Sequence, residues 1–237
     1  MKNKRGFTLA EVLITIGILG VIAAVTLPAL RANIDRNTWA SGLQTNISLL
    51  NTAFNQMMAE EDVSDIRDTN LWTEYVTSDV TESNSNIKAE MDKYFRISKI
   101  DKNFPAKAYT LNDSTYTKDS ARFYLGNSAS LNILFKHNAD FSPCSSTQIF
   151  CHPVAEIVLD VNGDKKPNVM GNDMFLLVLG ENGIVYPVGG DDAYNYSSSL
   201  YPKWDSATGC QGKNPKDVNG NSCAGRVVDE GYKINYK

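Results

Sequence analysis

The residue with the most unusual setting in this chain is Glu11. It is the single charge in the run FTLAEVLITIGILGVIAAVTLPAL from Phe7 to Leu30. A carboxylate carried deep into a bilayer costs on the order of 2.5–3.5 kcal/mol and ordinarily marks a function or a partner. The milder alternative is a shallow position from which Glu11 snorkels to the headgroups. Just before it, Lys2, Lys4 and Arg5 form a basic head, and Gly6 precedes the apolar run in the junction Arg5-Gly6-Phe7-Thr8-Leu9. A secretory signal has an apolar centre of about 7–15 residues with its small-residue cleavage site after it. Here the apolar run is longer and the small residue comes first, and Ala29-Leu30-Arg31-Ala32 lies too far along to serve.

A second group with ligand chemistry is Asp160-Val161-Asn162-Gly163-Asp164, followed by Asn168 and Asp173. Oxygen side chains at loop positions 1, 3, 5 and 9 are how calcium loops are built. Lys165 stands where the loop needs glycine, Gly171 stands where it needs a bidentate acid, and Lys165 and Lys166 oppose a divalent cation. An Asx/Gly turn satisfied by its own side chains is the other reading. Asp217-Val218-Asn219-Gly220-Asn221 is a weaker Asx-rich loop of the same type. Cys144, Cys151, Cys210 and Cys223 make an even set without metal or redox spacing, so two disulfides are expected. Three connectivities are open; proximity favours Cys144–Cys151 and Cys210–Cys223.

Enzyme readings lack parts. There are two histidines, His137 and His152, with no nucleophile elbow and no glycine-rich phosphate loop. A Cys151/His152 nucleophile would need a free thiol. Trp72, Trp204, Tyr194, Tyr196 and Tyr201 read as packing or interface residues. The net charge of −4 carries no basic signature for nucleic acid.

The elements that position these residues follow from periodicity. Residues 7–30 as a helix span about 36 Å, enough to cross a hydrocarbon core of about 30 Å. The basic head should stay on the cytoplasmic side. Pro28 should bend or locally open the helix, which then resumes. Leu43, Ile47, Leu50, Phe54 and Met57 repeat at 4, 3, 4, 3, an apolar stripe suited to packing on a core. Asn46, Ser48, Asn51 and Asn55 are assigned to the opposite face. The helix should end between Met58 and Asp62. Short helices are expected near 70–77 and over Ser85–Phe95, with Pro105 and Asn112-Asp113-Ser114 as punctuation. The period then switches to two. Arg122–Leu125 and Leu131–Phe135 read as a hairpin, followed by strands over Glu156–Asp160, Asp173–Leu179 and Ile184–Tyr186. The tail holds a helix over Ala224–Glu230, stopped by Gly231, and an edge strand over Tyr232, Ile234 and Tyr236. The fold class is α+β: a long N-terminal helix packed on an antiparallel sheet.

The basic head, Gly6, Phe7-Thr8-Leu9, Glu11 and Pro28 together resemble the prepilin leader of type IV pilins and type II secretion pseudopilins. The likeness covers about thirty residues. It implies cleavage after Gly6 by a prepilin peptidase and N-methylation of Phe7. It further implies that Glu11 pairs with the terminal amine of a neighbouring subunit, and that Pro28 is the family's helix-kinking proline. Implied partners are other pilin subunits, alike or different, and assembly-platform proteins in the inner membrane with their ATP-driven motors. Calcium in the β-loops of some pseudopilin heads adds weight to the Asp160 loop. The pilin-like layout divides the chain into a leader (1–6), a transmembrane and filament-core helix (7–30), its amphipathic continuation (31–61) and a head (62–237).

The function expected from this resemblance is mechanical: a non-enzymatic filament subunit, held in the cytoplasmic membrane and then carried into a periplasmic or surface filament. Glu11 argues for a place within the filament body, since tip subunits of pseudopili tend to lack that acid. The alternative is a membrane-anchored binding protein or enzyme with a similar N-terminus.

Overall fold

Thr8 starts the first helix. Its backbone is extended, its hydroxyl accepts from the Glu11 amide, and the Glu11 carboxylate accepts from the Thr8 amide in return. This reciprocal capping box satisfies two amides that a helix start leaves open. In the computed structural model, which describes residues 6, 8–76, 85–101, 108–111, 114–116, 121–135, 153–191, 202–212 and 219–236, helix α1 then runs from Leu9 to Glu60. At about 1.5 Å per residue it is a rod about 78 Å long. Pro28 removes one backbone donor, yet the helical span continues through it without interruption. The chain leaves α1 at Glu61 and Asp62, where Asp62 adopts φ 53° and Val63 donates back to Met58 O at 3.0 Å.

The two halves of α1 meet different surroundings. From Ala40 onward the stripe of Leu43, Ile47, Leu50, Phe54 and Met57 is buried. It lies on a six-stranded antiparallel sheet in the order β1-β4-β5-β6-β7-β8. The strands are β1 (Ile97–Asp101), β4 (Arg122–Leu125), β5 (Ser130–Phe135), β6 (Ala155–Asp160), β7 (Met174–Leu179) and β8 (Val185–Pro187). A separate ribbon pairs β2 (Ala108–Tyr109) with β3 (Thr115–Tyr116). Alternation decides the faces. Ile133, Ile157, Leu159, Leu177 and Leu179 join the α1 stripe in one core, while Val158, Leu176, Val178, Tyr186 and Val188 build a second cluster. Central strands β6 and β7 are therefore buried along their whole length.

The amphipathic stretch at Ser85–Phe95 is helix α2. Its Phe95 meets Phe54 of α1 edge-on at 5.2 Å. Trp72, in a single π-helical turn over Leu71–Tyr75, meets Phe135 the same way at 5.2 Å. Helix α3 (Cys223–Asp229) ends before Gly231, whose φ of +71° closes the turn as expected of a glycine there.

Three expectations need correction. The tail after Gly231 is no edge strand: among the described residues it pairs with no strand, and side chains anchor it instead. Ile234 and Tyr236 are buried, and the Tyr236 hydroxyl donates to Gly171 O at 2.6 Å. Asn46 and Asn51 do not lie on a solvent face; Asn46 is buried and both bond the head. Strand β1 was unanticipated. Its sequence Ile97-Ser-Lys-Ile-Asp has weak alternation, broken by a bulge between Ile97 and Lys99 where it pairs with β4. Pro105 and Asn112-Asp113 lie outside the described residues.

Candidate assembly site

The first half of α1 carries the features that the sequence singled out. From Leu9 to Ile34 its large apolar side chains stand open, from 45% exposed at Val12 to 78% at Leu9. An 18-residue stretch of this helix has a mean hydropathy of 2.4, and the helix is long and apolar enough to cross a membrane. Its polar atoms are largely satisfied within the helix. Thr15 and Thr26 hydroxyls donate to the carbonyls of Glu11 (2.7 Å) and Ile22 (3.0 Å), four residues back. An apolar environment accepts hydroxyls on those terms.

Glu11 lies two residues into α1 from Leu9. One carboxylate oxygen accepts from the Thr8 amide and the Thr8 hydroxyl, both at 2.8 Å. The remaining acceptor capacity faces outward, so the carboxylate can serve both as a local cap and as a partner for an external cation. The spacing Thr8-x-x-Glu11 is a readable capping signature that the sequence reading passed over. Gly6 stands exposed, with nothing within 4 Å of the place a Cβ would occupy. Phe7 lies outside the described residues, and Pro28 sits in the exposed half of α1.

Where α1 meets the head, two asparagines fix it. Asn46 Oδ1 accepts from Asn127 Nδ2 in the β4–β5 turn at 2.9 Å. Asn51 Oδ1 accepts from the Val185 amide of β8 at 2.7 Å. The helical period held this information: Asn46 is three residues after Leu43 and four before Leu50, and Asn51 is four after Ile47 and three before Phe54. Gly42 lets Val161 come close, since a Cβ there would stand 3.0 Å from Val161 Cβ. These contacts tie α1 to the head on opposite sides of the stripe.

The Asp160 loop does not converge on one centre. Arg122, only 1% exposed, gives Nη2 to Asp160 Oδ2 at 2.8 Å and Nη1 to Asp164 Oδ1 at 2.9 Å. Its ring neighbour Tyr124 also donates to Asp164, at 2.9 Å. Asp173 instead accepts from the amides of Asn168 (2.8 Å) and Val169 (2.7 Å) and from Asn162 Nδ2 (3.1 Å). With the Asn168 side-chain amide assigned in the orientation that satisfies its neighbours, Nδ2 donates to the carbonyls of Lys165 at 3.0 Å and Gly163 at 3.1 Å. Burial pushes the Asp160 carboxyl up to about 8 against the pull of Arg122, and burial likewise raises Asp173. Among the described residues no group of three or more His, Cys, Asp or Glu is disposed to hold a metal ion. The buried cation at this loop is Arg122, which sequence spacing gave no reason to pair with residues 38 and 42 positions away.

Cys210 and Cys223 are bonded, with Cα atoms 5.1 Å apart. Cys144, Cys151, His137, His152, Asp217, Tyr194, Tyr196 and Tyr201 lie outside the described residues. Trp72 is buried in the core, and Trp204 packs on it in part while its indole N–H donates to Asp229 at 2.6 Å.

Residues 1–27 match the family model described as the prokaryotic N-terminal methylation motif. No curated protein and no solved structure matches the chain. The methylation motif is the signal of type IV pilins and pseudopilins, and here it opens a chain whose exposed apolar half-helix leads into an α+β head of pilin-like layout.

Proposed function

We propose that this chain is a structural subunit of a type IV pilus-like or type II secretion pseudopilus filament. A prepilin peptidase cuts the precursor after Gly6 and methylates Phe7. The subunit waits in the cytoplasmic membrane with its head outside, and assembly-platform proteins then draw it into a filament of like or related subunits. The observation that carries this reading is the open apolar surface from Leu9 to Ile34, continuous with a half-helix pinned to the head and holding Glu11 as its single acid. Bilayer and filament core are both apolar surroundings, so one surface serves in each. The role is mechanical rather than catalytic.

The test is intact mass and N-terminal sequencing on two fractions, material sheared from cells and washed membranes. A chain beginning at methylated Phe7 and abundant after shearing is the result for a surface pilus subunit; the same species confined to membranes is the result for a pseudopilin or minor component. Gly6→Val should leave full-length precursor in the membrane. Normally trimmed protein from that variant, or a wild-type chain starting at Met1 or beyond Ala29, overturns the proposal.

A further inference from the structure

Where the open half of α1 gives way to the head, a groove of about 810 Å³ runs between the helix and the β6–β7 loop. Arg31, Asp35, Thr38 and Trp39 line it from α1, and Lys165 and Lys166 line it from the loop. The close approach of Val161 to Gly42 holds that loop against the helix. Three cations face one acid there, a local charge of +3 − 1 = +2, in a chain whose net charge is −4. The acid offsets little, because Asp35 meets Arg31 only at 3.9 Å and the Arg31 side chain is 85% exposed. Neither Lys165 nor Lys166 is ion-paired among the described residues; the neighbouring Asp164 is engaged by Arg122 and Tyr124.

The height of the groove decides what it meets. Arg31 directly follows the apolar run, Asp35 stands about 6 Å above it and Trp39 about 12 Å above it. The headgroup layer on each side of a bilayer is about 5–7.5 Å thick. Arg31 and Asp35 therefore fall within that layer, and Lys165 and Lys166 line the same groove from the loop. Trp39 stands above that layer and packs in part against the core of the head.

We propose that this groove binds the phosphate of an anionic phospholipid in the leaflet beneath the head. The proposal rests on the membrane-spanning reading of Leu9–Leu30. Arg31 supplies a planar donor fork and the two lysines supply mobile ammonium groups, a set that selects a phosphate diester of net negative charge over a zwitterionic headgroup. The lipid would fix the tilt and rotation of the stored subunit, because the groove opens on one side of the helix.

The test uses the full chain in nanodiscs of phosphatidylethanolamine alone or mixed with phosphatidylglycerol. Native mass spectrometry counts the lipid retained after release into mild detergent. Phosphatidylglycerol should be retained preferentially. Lys165→Gln, Lys166→Gln and Arg31→Gln should each weaken retention about fivefold, from about 1 kcal/mol per surface cation. Asp35→Asn should strengthen it, which keeps a gain as well as a loss in view. Excess inorganic phosphate should leave the lipid in place. Equal retention of both lipids, unchanged retention in the lysine variants, or displacement by inorganic phosphate overturns the proposal. So does a second copy of the chain found cross-linked in the groove of the membrane-held protein. A chain that enters neither nanodisc overturns the membrane reading itself, and this proposal with it.

Discussion

The cap that Glu11 makes within its own chain and the counter-ion role proposed for it toward a neighbour are separated by a pair of substitutions. Thr8→Ala removes the hydroxyl bond at 2.8 Å and the bond the Glu11 amide makes to that hydroxyl at 3.3 Å, but keeps the carboxylate and its bond to the Thr8 amide. Loss of such a cap costs about 1 kcal/mol, or about a fivefold change in an equilibrium. Glu11→Ala removes the carboxylate. In the proposed filament it leaves the amine of the adjoining Phe7 buried without a partner, which costs about 3–5 kcal/mol, or roughly 150- to 4,000-fold in subunit incorporation. The assay is the ratio of sheared filament to total processed subunit, with intact mass confirming that each variant is cut after Gly6. Thr8→Ala should reduce the ratio modestly, and Glu11→Ala should bring it near zero with cleavage intact. Equal losses for the two would mean that Glu11 acts only through its cap. Wild-type filament yield from Glu11→Ala would refute the counter-ion role and remove the main physical reason for an acid in this segment.

Arg122→Met leaves Asp160 buried without its cation, for a cost of about 3–5 kcal/mol and a fall in melting temperature of roughly 6–20 °C. A folded-state pKa raised by burial gives stability that is present below the unfolded pKa and lost as pH rises through the folded value. Removing Arg122 raises it further, so the deficit of the variant against wild type should be larger at mildly alkaline than at mildly acidic pH; a deficit that shrinks with rising pH contradicts this. Asn51→Ala orphans the Val185 amide at about 1–3 kcal/mol, and hydrogen exchange at Val185 should speed while that at Leu159 in the central strand stays slow. Calcium should leave the melting temperature of the wild-type chain unchanged, since Arg122 already serves Asp160 and Asp164. A bound ion at a hundred times its Kd would add about 2.7 kcal/mol, and a rise of several degrees would support the calcium reading of the Asp160 loop.

Periodicity made the long elements legible. The 4, 3, 4, 3 stripe located the buried face of α1, and the change to alternation located β4, β5, β6, β7 and β8. Each of those signals is local: it needs only the residue's own neighbours. What escaped depended on residues distant in sequence. Arg122 reads as one charged residue at the start of a strand until the pairing of β4, β5 and β6 brings Asp160 within its reach. Strand β1 owes its existence to the open edge of β4 more than to its own composition. Asn46 and Asn51 were misplaced for a different reason. Their positions satisfied the helical period, but polarity was allowed to outweigh it, although a polar residue at the margin of an apolar stripe is where a side-chain bond across an interface is made.

The division of α1 near Ala40 constrains how assembly can be specific. The stripe from Ala40 onward is buried by its own head, so its packing is the same in the membrane and in the proposed filament. The exposed half from Leu9 to Ile34 exchanges lipid for other helices, one apolar neighbour for another, and that exchange supplies little net hydrophobic free energy. Leucines and isoleucines along this half fit many axial registers about equally well. A polar group does not, because its energy changes steeply with displacement once water is excluded. In the exposed half the charge before Arg31 is Glu11, within the first turn of the helix. Register between subunits must therefore be set near that end, with the apolar rod above it supplying area and the head supplying the surface. A carboxylate moved by one helical turn, as in Glu11→Ala combined with Thr15→Glu, should accordingly shift or abolish the axial rise of the filament while leaving the fold of the head unaltered.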